Sequence, residues 1–173
     1  MRFLKVGRPR ELILTKDLTT TPGPYAVLSH TWGADDDEVT LDDMQKSKRQ
    51  EKAGYKKLHF CVDQARKDGL EYVWVDTCCI DKANNVELSE AITSMFCWYR
   101  DAAKCYVYIS DVTLGHRHSN MTPPSRESTF QRSKWFTRGW TLQELLAPKV
   151  VEFFSQDGHW LGSKNTLEQQ IHK

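Results

Sequence analysis

The sequence has no excess of charge of either sign. Its 24 Lys and Arg residues are balanced by 23 Asp and Glu residues, so the formal net charge at pH 7 is +1. A nucleic-acid-binding module usually concentrates a clear positive excess on one face. The charge balance therefore argues against DNA or RNA as a partner.

The sequence also lacks a long hydrophobic run. No apolar stretch is long enough to cross a bilayer, and Met1-Arg2-Phe3 does not begin a secretory signal. The cysteines are odd in number and lie in apolar segments, which is typical of reduced core thiols. We therefore expect a soluble cytoplasmic protein that has no membrane partner and whose five thiols are free: Cys61, Cys78, Cys79, Cys97 and Cys105.

Two ligand-binding motifs are missing as well. No G-x-G-x-x-G fingerprint indicates a bound dinucleotide cofactor, and no Cys-x-x-Cys pair indicates a zinc site. His116 and His118 are close in sequence but lie in a polar stretch. We expect neither a metal ion nor a resident cofactor.

Short apolar runs predict the strands of the core. Apolar residues make up 39% of the 173 residues, which suffices for the core of one domain. Four runs are suited to buried strands: Tyr25–Leu28, Tyr72–Val75, Cys105–Ile109 and Val150–Phe154. Because helical patterns separate them, they predict an α/β fold in which a mostly parallel sheet is flanked by helices.

Other segments complete the predicted outline. Arg2–Val6 and Glu11–Thr15 flank a turn, which predicts a small N-terminal hairpin. Apolar residues at helical spacing predict one helix over Leu58–Ala65, which Gly69 ends, and a longer amphipathic helix over Leu88–Tyr99. Two polar stretches interrupt the apolar pattern. In residues 34–52 the acidic run 35–38 is expected to be a solvated loop, and residues 111–134 are expected to be an exposed loop.

Polar clusters follow the first three core strands. Ser29-His30-Thr31-Trp32-Gly33 follows the first, the segment from Asp76 to Asp81 follows the second, and Ser110-Asp111 follows the third. Ligands of open parallel sheets bind beyond the carboxyl ends of the strands. Each residue alone is more typical of a helix cap or a loop contact. Three clusters at one sheet edge together predict a shared pocket.

A short helix over Trp140–Ala147 supplies a further candidate residue. Its three leucines are expected to face the core: Leu142, Leu145 and Leu146. Glu144 would then point away from the core, with Trp140 beside it. Arg138-Gly139 would bring a cation and a bare backbone to the same place. Spacing alone leaves a structural and a functional role for Glu144 equally open.

Three long motifs resemble one known family. YAVLSHTWG, YVWVDTCCIDK and WFTRGWTLQELLAP occur in the order found in the fungal heterokaryon-incompatibility (HET) domain. The resemblance implies that residues 1–173 form a single HET domain. It also implies an N-terminal effector of a longer protein, whose activation by an upstream sensor or allelic partner triggers cell death when incompatible hyphae fuse.

HET domains are in turn similar to TIR domains, which have a flavodoxin-like fold. TIR domains that cleave NAD⁺ carry a glutamate four residues after a tryptophan, the position that Glu144 occupies relative to Trp140. The resemblance thus implies that Glu144 is catalytic and that NAD⁺ is a substrate and not a cofactor. The substrate-binding residues would be Ser29, His30, Trp32, Gly33, Asp76, Asp81, Arg138 and Trp140.

Alternatives to NAD⁺ cleavage remain open from the sequence. The domain could be a non-enzymatic adaptor that self-associates through its Trp-rich surface. It could also be a cysteine hydrolase that uses Cys78 or Cys79 with His30 as the base. His30 could instead pair with a strand-end carbonyl or with a carboxylate such as Asp76.

Overall fold

The computed structural model of the protein describes residues 1–8, 11–46, 52–114 and 126–171. Its strands are β1 (Leu4–Val6), β2 (Leu12–Leu14), β3 (Tyr25–His30), β4 (Tyr72–Trp74), β5 (Lys104–Ile109), β6 (Val151–Ser155) and β7 (Trp160–Ser163). They form one sheet in the order β2-β1-β4-β3-β5-β6-β7.

The four central strands are parallel. β3 pairs with β4 on one side and β5 on the other, and β5 pairs with β6. Their spatial order is second, first, third, fourth along the chain, which is the order of flavodoxin-like sheets. All six residues of β3 are buried, so both of its faces are covered. The predicted α/β fold with three adjacent parallel core strands is confirmed.

Antiparallel strands at both edges make the sheet mixed. β1 and β2 form the predicted N-terminal hairpin, and β1 runs antiparallel to β4. At the other edge β7 pairs antiparallel with β6. β7 was not predicted from the sequence, because its four residues, WLGS, have no continuous apolar pattern.

Helices connect the parallel strands. They are α1 (Leu41–Lys46), α2 (Tyr55–Lys67), α3 (Asp76–Cys79), α4 (Asn85–Asp101), α5 (Arg126–Gln131), a 3₁₀ helix (Lys134–Thr137), α6 (Thr141–Leu146) and α7 (Glu168–Ile171). Just past α2, Gly69 has a φ of +71°, a conformation that glycine adopts at little cost. The Asn84 side chain caps α4 by accepting from the N–H groups of Val86 and Glu87. None of the helices in the described part of the chain is long and apolar enough to cross a membrane.

Several boundaries and exposures differ from the sequence-based expectations. β3 continues to His30, so Ser29 and His30 belong to the strand and do not follow it. On α4, Ile92 and Phe96 are about half exposed, although the apolar pattern predicted that they face the core. Cys97 is exposed, whereas the other four cysteines are buried; all five are free, as predicted.

The polar stretch over residues 111–134 is anchored at both of its ends. Asp111 accepts hydrogen bonds from the Ser133 hydroxyl over 2.6 Å and from the Lys134 N–H over 2.8 Å. Phe130 is buried against Phe153 of β6. The expectation of an exposed loop is therefore wrong for these flanks, and residues 115–125 lie outside the described residues.

Candidate functional site

Glu144 lies at the carboxyl edge of the parallel strands, where its carboxylate is held from two sides. The Ser29 hydroxyl of β3 donates to Oε2 over 2.5 Å. The Arg138 guanidinium donates to both oxygens, from Nη1 to Oε2 over 2.8 Å and from Nη2 to Oε1 over 3.0 Å. Bidentate pairs of this kind are among the stronger polar contacts in proteins. The carboxylate is therefore fixed in both position and orientation.

The orientation of α6 differs from the prediction. Glu144 is only 2% exposed and shares the buried side of the helix with Leu145. Leu142 and Leu146 are 67% and 66% exposed, so the expected core-facing side is wrong for two of the three leucines. Burial of the carboxylate is tolerated because both of its oxygens are hydrogen-bonded and its charge is paired.

A tryptophan fixes the elements around this carboxylate. Trp135 of the 3₁₀ helix is fully buried and packs edge-on against Phe153. Its Nε1 donates to Ser29 Oγ over 2.7 Å, and its carbonyl accepts from the Thr141 hydroxyl over 2.6 Å. Ser29 thus accepts from Trp135 and donates to Glu144. This arrangement ties the 3₁₀ helix and α6 to the central strand.

A second carboxylate follows β4. Asp76 is 8% exposed, and its Oδ2 accepts from the Trp32 Nε1 over 3.0 Å. Its Oδ1 is buried and accepts no hydrogen bond within the described residues. The Lys82 ammonium lies 3.6 Å from the centre of the Trp32 ring, within cation–π range. Burial, followed by the negative charges of Glu144 and Asp76, raises the pKa of the buried Tyr99 phenol.

A cavity of about 490 Å³ opens between these groups. The indoles of Trp32 and Trp140 contribute to its wall and are 49% and 48% exposed. Much of the remaining lining is aliphatic and comes from Ile80, Leu88, Ile92 and Met95. An apolar cavity of this size with a few fixed polar groups is typical of small-molecule sites. The exposure of Ile92 on α4 is thereby explained.

The cavity brings together five residues that the sequence singled out: Trp32, Asp76, Arg138, Trp140 and Glu144. Ser29 does not line the cavity but supports Glu144 from the strand. His30, Gly33 and Asp81, which were expected at the same pocket, do not line this cavity. The Asp81 carboxylate accepts from the Ala83 N–H over 3.0 Å, which is a local turn contact.

The His30 side chain lies next to a separate cluster around Glu38. The His30 Nε2 lies 3.6 Å from Glu38 Oε2, which is longer than a hydrogen bond. Glu38 Oε1 accepts from the Gly33 N–H over 2.6 Å and from the Lys57 ammonium. Burial alone would raise the pKa of Glu38, but His30, the Gly33 N–H and Lys57 together lower it to about 2.

Sequence analysis missed the role of Glu38. It is the last residue of an acidic run that was expected to be solvated, yet it is only 7% exposed. With Gly33 and Lys57 it borders a smaller cavity of about 250 Å³ next to the first. Nothing in the run Asp35–Glu38 distinguishes the buried acid from the other three, because its partners come from β3 and α2.

The paired cysteines have the properties of core residues. A hydrogen bond with Cys79 and burial raise the pKa of the Cys78 thiol, and the Cys79 sulfur accepts from the Val75 N–H over 3.5 Å. A protonated, buried thiol is a poor nucleophile. With His30 directed at Glu38, these features disfavour a cysteine hydrolase.

Comparison with known proteins identifies the family. The family model described as "Heterokaryon incompatibility protein (HET)" matches residues 25–129. The chain is also 54% identical over 173 residues to the vegetative incompatibility protein HET-E-1 of Podospora anserina, an alignment that covers 99% of this chain and 13% of that protein. No solved structure matches the chain.

The chain therefore belongs to the heterokaryon incompatibility family. It spans only about an eighth of the length of the relative that it matches. Arg138, Trp140 and Glu144 lie beyond the residues that the family model matches, but they fall within the alignment with HET-E-1.

Proposed function

We propose that this chain is a cell-death effector domain of a heterokaryon incompatibility protein and that it cleaves NAD⁺ between nicotinamide and ribose. The observation that carries the proposal is the fixed carboxylate of Glu144 on the wall of a largely apolar cavity. An oriented charge in surroundings that exclude water acts more strongly on a developing charge than one in solvent. The resemblance of the Trp140–Glu144 spacing to TIR domains supports NAD⁺ as the substrate.

Several groups at the cavity suit parts of a dinucleotide. The half-exposed indoles of Trp32 and Trp140 offer faces on which aromatic rings can stack. Asp76 Oδ1 is an acceptor without a donor, suited to an amide N–H or a ribose hydroxyl. The guanidinium of Arg138 is suited to a phosphate.

The proposed reaction needs little acid catalysis. The bond between ribose C1′ and the pyridinium nitrogen breaks, and its electron pair neutralises the charge of the leaving nicotinamide. The ribose becomes an oxocarbenium ion, which the Glu144 carboxylate stabilises. The oxygen of a water molecule then bonds to C1′, and one proton passes to solvent. The products are nicotinamide, ADP-ribose and a proton.

The proposed cleavage of NAD⁺ suggests how the domain would cause cell death. Depletion of NAD⁺ in the cytoplasm would account for cell death on fusion of incompatible hyphae. The remainder of a longer protein, or an allelic partner, would supply the recognition step that activates the domain.

The direct test is release of nicotinamide by the purified domain. The domain is incubated with NAD⁺ at high protein concentration, with and without a crowding agent, and the products are separated by chromatography. We expect nicotinamide from the wild type and about 10²–10³-fold less from Glu144→Gln, since one electrostatic group is typically worth that factor. Glu87→Gln is the matched control, because it removes the same charge from the Arg2–Glu87 pair outside the cavity.

Equal rates for Glu144→Gln and the wild type would refute a catalytic role for Glu144. No nicotinamide under any of these conditions would count against cleavage and favour a second candidate, an adaptor that acts by self-association. Two large exposed leucines on α6, Leu142 and Leu146, support that candidate. Its signature would be concentration-dependent oligomerisation in light scattering that Leu142→Glu abolishes.

A further inference from the structure

Three of the acceptor positions on the Glu144 carboxylate are already used within the protein. A carboxylate offers about four lone-pair positions. Arg138 takes one on each oxygen, and Ser29 takes a second on Oε2. The guanidinium also places a full positive charge beside the group that would stabilise a cationic ribose. The positive charge of Arg138 largely cancels the field of Glu144 in the cavity, and we call the carboxylate in this state masked.

We infer that Arg138 is a positioning residue that the anionic part of the substrate draws away from Glu144. This inference rests on the proposed function. It adds that a phosphate group on the substrate unmasks the carboxylate. The substrate class is then a nucleotide with a phosphate or pyrophosphate next to the reacting ribose, and a nucleoside would leave the mask in place.

The two partners of the ion pair are not equally held. The Glu144 side chain is 3% exposed, whereas that of Arg138 is 17% exposed. When the guanidinium leaves, Glu144 keeps its hydrogen bond from Ser29, so the buried carboxylate still has a donor. Arg138 precedes Gly139, where an added Cβ would meet nothing within 4 Å, so the loop has room to shift. Arg138 is therefore the partner that moves.

The chemistry of the guanidinium selects the ligand. Its planar fork fits phosphate oxygens as well as carboxylate oxygens, so a phosphate can replace Glu144 without loss of bidentate geometry. Arg138 lines the cavity together with Lys82, which supplies a second positive charge. A cavity lined by two cations fits a pyrophosphate better than a neutral sugar.

Two substrates that share the reacting bond separate this inference from a structural role. NAD⁺ carries a pyrophosphate, and nicotinamide riboside carries none. For the wild type we expect kcat/KM for NAD⁺ to exceed that for nicotinamide riboside by about 10²–10³-fold. In Arg138→Gln, kcat/KM for NAD⁺ should fall about 10²-fold. For nicotinamide riboside kcat/KM should rise several-fold, because Arg138 no longer pairs with Glu144.

Two further variants complete the series. Arg138→Lys keeps the charge but not the fork, and should recover part of the preference for NAD⁺. Arg2→Gln breaks the remote pair with Glu87 and should leave the preference unchanged. A merely structural role for Arg138 would lower the rates for both substrates by the same factor, and that result would overturn the inference. If Arg138→Gln does not fold, the ratio is read from Arg138→Lys.

A binding measurement separates this inference from the proposed reaction. ADP-ribose is titrated into the wild type and into Arg138→Gln in a calorimeter. We expect at least about tenfold weaker binding to the variant, since a charge-assisted bidentate contact is lost. If the wild type binds ADP-ribose through Arg138 but releases no nicotinamide from NAD⁺, the cleavage proposal fails and the phosphate contact stands. Equal affinities for the two proteins would refute the phosphate contact itself.

Discussion

Replacement of Glu144 by Gln should destabilise the domain as well as inactivate it. The substitution keeps the shape of the side chain but exchanges one acceptor oxygen for an NH₂ donor. Wherever the amide turns, at least one N–H of Arg138 then faces a donor and loses its acceptor. The guanidinium, whose side chain is 17% exposed, also loses its counter-ion.

The magnitude follows from the burial of the pair. A hydrogen bond to a charged group contributes about 1.5–3 kcal/mol, and removal of one partner of a buried pair costs about 3–5 kcal/mol. Because Arg138 can still reach solvent, we expect a loss of about 2–3 kcal/mol in the free energy of unfolding. For a chain of this size that corresponds to a fall in Tm of about 4–12 °C.

The assay is thermal and urea unfolding of matched variants. Glu87→Gln breaks the more exposed Arg2–Glu87 pair and should cost less than about 1 kcal/mol. The double variant Arg138→Gln/Glu144→Gln should be more stable than the sum of the single losses predicts, by about 2 kcal/mol. A Glu144→Gln protein that melts within about 1 °C of the wild type would refute the buried ion pair.

Three further predictions test other parts of the structure. The pKa of Glu38 is about 2 against a usual 4.5, and this contributes about 3 kcal/mol of stability that is fully present above about pH 4.5 and is lost as the pH falls toward 2. In Glu38→Gln, the free energy of unfolding measured in urea should therefore depend less on pH across this range. Leu145→Ala should cost about 2–4 kcal/mol and Leu146→Ala less than about 0.5 kcal/mol, because the first is buried and the second 66% exposed; equal losses would contradict the orientation of α6. Alkylation of the native domain should modify Cys97 and leave the four buried cysteines unmodified until the protein unfolds, as mass spectrometry of the alkylated protein would reveal.

The parts of the fold that the sequence predicts are those with a strong local signal. A parallel strand that is covered on both faces must be apolar along its length, so Tyr25–Leu28 and Cys105–Ile109 are recognisable from single runs. The hairpin at the N terminus is marked by its turn. β7 lies at the edge of the sheet next to β6, and two of its four residues are Gly162 and Ser163, so its sequence gives a weak strand signal.

The location of the cavity was predictable, but the orientation of its acids was not. Polar residues after parallel strands converge by topology, which places Asp76 at this edge, and α6 brings Glu144 to the same cavity. Whether a carboxylate is buried depends on its partners. Those of Glu144 include Ser29, which is 115 residues away. The leucine pattern predicted the opposite face because a helix of six residues gives too few positions for periodicity to decide.

The stability that the buried Arg138–Glu144 pair contributes is too small to explain why Glu144 is buried. A buried Arg–Glu pair contributes little net stability, because desolvation of both charges offsets much of their attraction, and apolar residues of similar volume often serve as well. Leu142 and Leu146 show that α6 has apolar side chains available, yet they are exposed while Glu144 is buried. Stability alone therefore does not account for this arrangement. The proposed site, in which a carboxylate acts in largely apolar surroundings and a cation leaves it when substrate binds, would account for it.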